Sequence, residues 1–103
     1  MSQRRIELGN KLKTILGNSN TYFQPPENLK MKYPCARYNV EGYNQRHADD
    51  DVYKADRRYM VMFITSTPEN DYYDAMMDTF KYCRFDRQYI ADGLYHYVYT
   101  LYY

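Results

Sequence analysis

Leucine, isoleucine, valine and phenylalanine make up only eighteen of the 103 residues, and there is no tryptophan. So thin an aliphatic stock marks a disordered chain when high net charge accompanies it. Here 14 Lys and Arg stand against 13 Asp and Glu, a net charge of +1, so that condition is not met. A near-zero balance also excludes broad electrostatic attraction to nucleic acid or to an anionic membrane. Cysteine is scarce as well: Cys35 and Cys83 stand alone, with no Cys-x-x-Cys pairing, so neither a disulfide framework nor a zinc site is signalled. The longest apolar run is Met60-Val61-Met62-Phe63-Ile64, far short of the roughly 18–20 residues that cross a bilayer. The opening Met1-Ser2-Gln3-Arg4-Arg5-Ile6 leads into a polar amphipathic stretch, not the apolar core of a signal peptide. Together these absences predict a compact chain in a reducing cytosolic interior.

Tyrosine takes the place of the missing aliphatics, with 15 residues, and six methionines add to it. A tyrosine buries on the order of 150–250 Å² while keeping one polar tip, so a tyrosine core is feasible. The length allows one domain, residues 1–103.

Apolar positions Leu8, Leu12, Ile15 and Leu16 recur at helical spacing and predict a helix over 3–16, with Ser2 as N-cap and Gly17-Asn18 as the stop. Gly9 inside it is unfavourable by about 1 kcal/mol relative to alanine. Thr21-Tyr22-Phe23 reads as a short strand ended by Pro25-Pro26. Alternation of Ala36, Tyr38 and Val40 predicts a strand over 34–44, and a mirrored run over 53–65 is apolar on both faces. Polar Gln45 to Asp51 forms the tip of the hairpin between them. Tyr73, Met76, Met77 and Phe80 predict a second amphipathic helix after the turn-rich 65–70. Asp92-Gly93 then separates two strands, 84–91 and 94–101, as a type I′ hairpin turn. Tyr95, Tyr97, Tyr99, Leu101 and Tyr103 share one face of the last strand. The order α-β-β-β-α-β-β predicts an α+β domain: a largely antiparallel sheet with two helices packed on one face.

No constellation for chemistry stands out. His47 with Asp49, Asp50 and Asp51 lacks the alternate acids and central glycine of a calcium loop, and consecutive strand residues project to opposite sides. A solvated hairpin tip is the simpler reading, with no metal and no cofactor. Cys35, Cys83, His47 and His96 sit in no nucleophile elbow or glycine-rich turn, and both cysteines read as small buried hydrophobes. No enzymatic activity is expected. Tyrosine-rich strands with Arg57, Arg58, Arg84 and Arg87 would suit a sheet-face nucleic-acid module. The acids Asp49–Asp51, Asp56, Asp86 and Asp92 interleave with those arginines, however, where a binding stripe segregates positive charge. Protein–protein association makes better use of tyrosine, methionine and arginine.

Several segments carry a resemblance. They are Tyr22-Phe23-Gln24-Pro25-Pro26, Tyr33-Pro34-Cys35-Ala36-Arg37-Tyr38, Ala48-Asp49-Asp50 with Tyr53, and Arg58-Tyr59 before the apolar strand with Pro68 after it. To these add Phe85-Asp86-Arg87-Gln88-Tyr89-Ile90-Ala91-Asp92-Gly93-Leu94-Tyr95-His96 and the terminal Leu101-Tyr102-Tyr103. In order and spacing, from 22 to 103, the chain resembles the tail terminator (tail-completion) proteins of long-tailed bacteriophages, often labelled minor capsid or minor tail proteins. Neighbouring head–tail connector proteins are similar in size. The resemblance implies a structural virion protein of the tail or neck, assembled in the host cytoplasm. It would form a homo-oligomeric ring, commonly a hexamer, that ends tube growth and joins tail to head. Its partners would be its own copies, the tail tube protein and the head–tail connector protein, with DNA passing only through the channel and no membrane involved. On this reading the hairpin reaches the next protomer through Tyr43, Arg46, Tyr53, Arg57 and Arg58. Asp49, Asp50 and Asp51 face the channel, where negative charge keeps transiting DNA from sticking.

Overall fold

The computed structural model describes residues 3–25, 30–43, 47–48, 51–52, 57–68 and 70–103. Helix α1 (Gln3–Leu16) has the predicted bounds. Gly17, at φ 86, ends it in the left-handed conformation that glycine adopts without steric cost, and its N–H bonds the Lys13 carbonyl at 2.9 Å. The Ser2 cap lies outside the described residues. Gly9 is explained by its neighbour: a Cβ there would sit 2.7 Å from the Tyr38 hydroxyl, so the helix gives up propensity to let a core tyrosine approach its backbone.

Strands β1 (Thr21–Phe23), β2 (Cys35–Tyr43), β3 (His47–Ala48), β4 (Asp51–Val52) and β5 (Arg57–Thr65) follow in chain order. Helix α2 (Tyr72–Thr79) then precedes β6 (Cys83–Ala91) and β7 (Leu94–Tyr102). Five strands form one sheet in the order β1-β2-β5-β7-β6, parallel only between β1 and β2. The fold is therefore α+β as read from the sequence, with the small antiparallel pair β3–β4 added in the long hairpin. The Tyr33–Pro34 peptide that opens β2 is cis.

Both helices pack on one sheet face, closing a core of Leu8, Leu12 and Leu16 from α1 with Tyr72 and Met76 from α2, and Phe80 just beyond it. The sheet contributes Ala36, Tyr38, Tyr59, Val61, Phe63, Tyr97, Tyr99 and Leu101. Aromatic rings do much of the filling. Phe63 stacks on Tyr72 at 4.5 Å and meets Tyr99 edge-on at 5.9 Å, arrangements favoured by the ring quadrupole.

One helical face needs correction. Tyr72, not Tyr73, turns inward with Met76, and Tyr73 is exposed. Helix α2 ends at Thr79, so Phe80 reaches the core from extended backbone, where the helical repeat no longer governs its direction. Asn70 supplies the start, its Oδ1 accepting the Tyr72 N–H at 3.2 Å.

The last hairpin follows the expected chemistry. Asp92 and Gly93 take φ 54 and 74, the double left-handed geometry of a type I′ turn, whose twist matches the flanking strands. Opposite ends of the sheet differ: β1 is a three-residue edge and β6 a nine-residue edge. The molecule measures 48 × 28 × 21 Å.

Candidate assembly surfaces

Among the described residues, no helix lies on the sheet's second face. The register sets side chains in rows across it: Arg37, Met62, Val98 and Arg87 in one, Asn39, Met60, Thr100 and Arg84 in the next. Alternation along β2, β5 and β7 forces this, since the residues between them point into the core, and the irregularity between Phe85 and Arg87 brings β6 into the same rows. Arg37 Nε and Asn39 Oδ1 are shut off from solvent with no hydrogen-bond partner. A cavity of about 400 Å³ opens on this face, floored by Val98 and Met60 and walled by Glu41, Arg58, Asp86 and Arg87.

Charges there are tied down locally. Arg84 Nε donates to Asp86 Oδ1 at 2.8 Å, and the Thr100 hydroxyl donates to the other carboxylate oxygen. Arg58 donates to the Glu41 carbonyl at 3.2 Å. Arg87 lies over the Tyr89 ring at 5.2 Å, and Tyr89 stacks on His96 at 4.6 Å with only 9° between planes. The face mixes charged and apolar side chains, with Arg84 and Asp86 joined as an ion pair.

The thiols are packing groups in this environment. Burial pushes Cys35 up to about 11 against a smaller opposing effect of Arg37. Burial, helped by Asp86, also pushes Cys83 up to about 11. Both are protonated at neutral pH, whereas the reactive form is the thiolate. His96 bonds the Leu94 carbonyl through Nδ1 at 3.1 Å. Among the described residues no three His, Cys, Asp or Glu side chains converge as metal ligands, and no helix is long and apolar enough to cross a membrane.

Of the residues assigned to the hairpin interface, Tyr43 pairs with Arg57 in the ladder, and Gly42 pairs with Arg58 just past the β2 irregularity. These three therefore gather at the root of the arm, where the Arg57 carbonyl also accepts the Tyr103 N–H at 3.0 Å. Asp51 stands opposite Ala48 in the small sheet. Arg46, Tyr53, Asp49 and Asp50 lie outside the described residues. The sequence reading passed over the β6 edge, where Phe85 is 37% and Ile90 66% exposed. The available signal was the run Arg84 to Ile90, in which charge and apolar side chains alternate without a clean buried face.

Comparison with protein-family models, with curated proteins and with solved structures finds no match.

Proposed function

We propose that this chain is a structural subunit of a long-tailed phage virion. On this reading it forms a ring at the head-proximal end of the tail tube, stopping tube growth and docking to the head connector. The observation that carries the proposal is the unlikeness of the sheet's two ends. A short β1 edge lies at one side and, at the other, a long β6 edge to which no described strand pairs. Closed rings of identical subunits need two different surfaces on each copy, joined head to tail. The segments quoted above from 22 to 103 supply the phage context. On this reading the hairpin rooted at Tyr43, Arg57 and Arg58 would carry Asp49–Asp51 to the channel.

The test is polymerisation of the tail tube protein with and without this chain. Tubes of limited length with ring density at one end are expected. Tubes that grow without limit and bind none of the chain would overturn the proposal.

A further inference from the structure

The β6 edge is open in two ways at once. Ala91 closes the two-residue turn against Leu94, so Tyr89 and Ala91 bond to β7 while the N–H and C=O of Gln88 and Ile90 point to the free edge. On the helix side of the same strand, α2 spans about 12 Å while β6 spans about 30 Å. Tyr73 reaches Phe85 edge-on at 5.9 Å, and Ile90 is left bare. An open backbone with an apolar face beside it is a template for another strand.

Strand directions say how a second copy would fit. Strands β1 and β2 run together, β5 is reversed, β7 is restored and β6 is reversed again. The β1 edge of an identically oriented copy therefore meets β6 antiparallel. The helices are complementary in charge. Helix α1 carries Arg4, Arg5, Lys11 and Lys13 against Glu7 alone, while α2 with its N-cap carries Asp71, Asp74 and Asp78 and no base. Placement agrees with this. Arg5, Gly9 and Lys13 form an i, i+4, i+8 stripe on α1, with Arg5 over the Phe23 ring of β1 at 4.5 Å and Gly9 against Tyr38 of β2. Asp74 is exposed on α2, one residue beyond the Tyr73 that meets Phe85 of β6.

We infer that β6 of one copy pairs antiparallel with the β1 edge of the next. The sheets then join head to tail, the incoming α1 covers Ile90, and Lys13 meets Asp74 across the joint. This deepens the ring reading above by naming its subunit contact, and it rests on that reading for the closed geometry. The irregularity between Phe85 and Arg87 fits, because a bulge bends its strand and supplies curvature.

The test uses the full chain, with assembly followed by native mass over a concentration series. Lys13→Asp and Asp74→Lys each raise the assembly midpoint by about tenfold. The double variant restores it, although both reversed charges now oppose their own helix dipoles. Hydrogen exchange at Gln88 and Ile90 slows on assembly. The inference is overturned if Lys13→Asp assembles like the wild type. It is also overturned if the double variant stays as poor as the worse single one, or if the wild type remains monomeric at millimolar concentration. Assembly indifferent to all three variants removes this contact and leaves the ring standing. Intact assembly without tube capping removes the terminator reading and leaves the contact.

Discussion

Three tyrosines of one sheet face show how much a single hydroxyl decides. Tyr97 donates to the Pro68 carbonyl at 3.2 Å, while the Tyr99 hydroxyl is buried with no partner, as is that of Tyr59 on the adjacent strand. Burial accordingly pushes the Tyr99 phenol well above its usual range. A satisfied buried hydrogen bond contributes about 1 kcal/mol, and an unsatisfied group costs about 1–3 kcal/mol. Tyr97→Phe should therefore lower the denaturant midpoint, while Tyr99→Phe should raise or preserve it. Two shifts of the same sign in urea unfolding would contradict this assignment. The alternation of Tyr95, Tyr97, Tyr99 and Leu101 was readable from the sequence, because a period of two fixes the face. Which hydroxyls find acceptors was not, since Pro68 lies 29 residues away. Gly9 makes the same point. Helix propensity alone favours Gly9→Ala by about 1 kcal/mol, yet the new Cβ would press on Tyr38. The single variant should lose about 1 kcal/mol, and the gain should appear only together with Tyr38→Phe. A stabilised single variant in thermal unfolding would show that Tyr38 yields easily.

Elements with strong local signals were legible in the sequence. Helix α1 ends where glycine ends it, and the last hairpin turns where Asp92-Gly93 turns it. Gly93→Ala should cost about 1–2 kcal/mol, because alanine at φ 74 brings its Cβ too close to the backbone. Asp92→Asn should be tolerated, as asparagine adopts that conformation readily. A Gly93→Ala chain with an unchanged melting temperature would argue against the type I′ geometry. Helix α2 was less legible. With adjacent tyrosines at its start, the spacing to Phe80 favoured Tyr73, but the helix stops one residue short and the face shifts to Tyr72 and Met76. The β6 edge was illegible for a topological reason. Its exposure follows from the order β1-β2-β5-β7-β6, and strand order depends on long-range pairing that no local window contains.

For the whole molecule, tyrosine does two jobs that composition alone could not separate. Tyr59, Tyr97 and Tyr99 build the core, while Tyr33, Tyr73 and Tyr82 remain outside. The covered sheet face holds the core, and the proposed assembly would use the uncovered face and the sheet edges. If Asp49–Asp51 face a DNA channel, replacing all three by asparagine should leave folding and ring formation unchanged while infectivity falls. Virions of normal infectivity carrying those substitutions would contradict the channel role.

Closure into a ring of fixed copy number, as proposed, is open to native mass spectrometry with negative-stain imaging of the purified protein. A single discrete oligomer is expected, seen as annular particles and growing in population with concentration. A chain that stays monomeric at every concentration, alone and with polymerised tail tube protein, would contradict it.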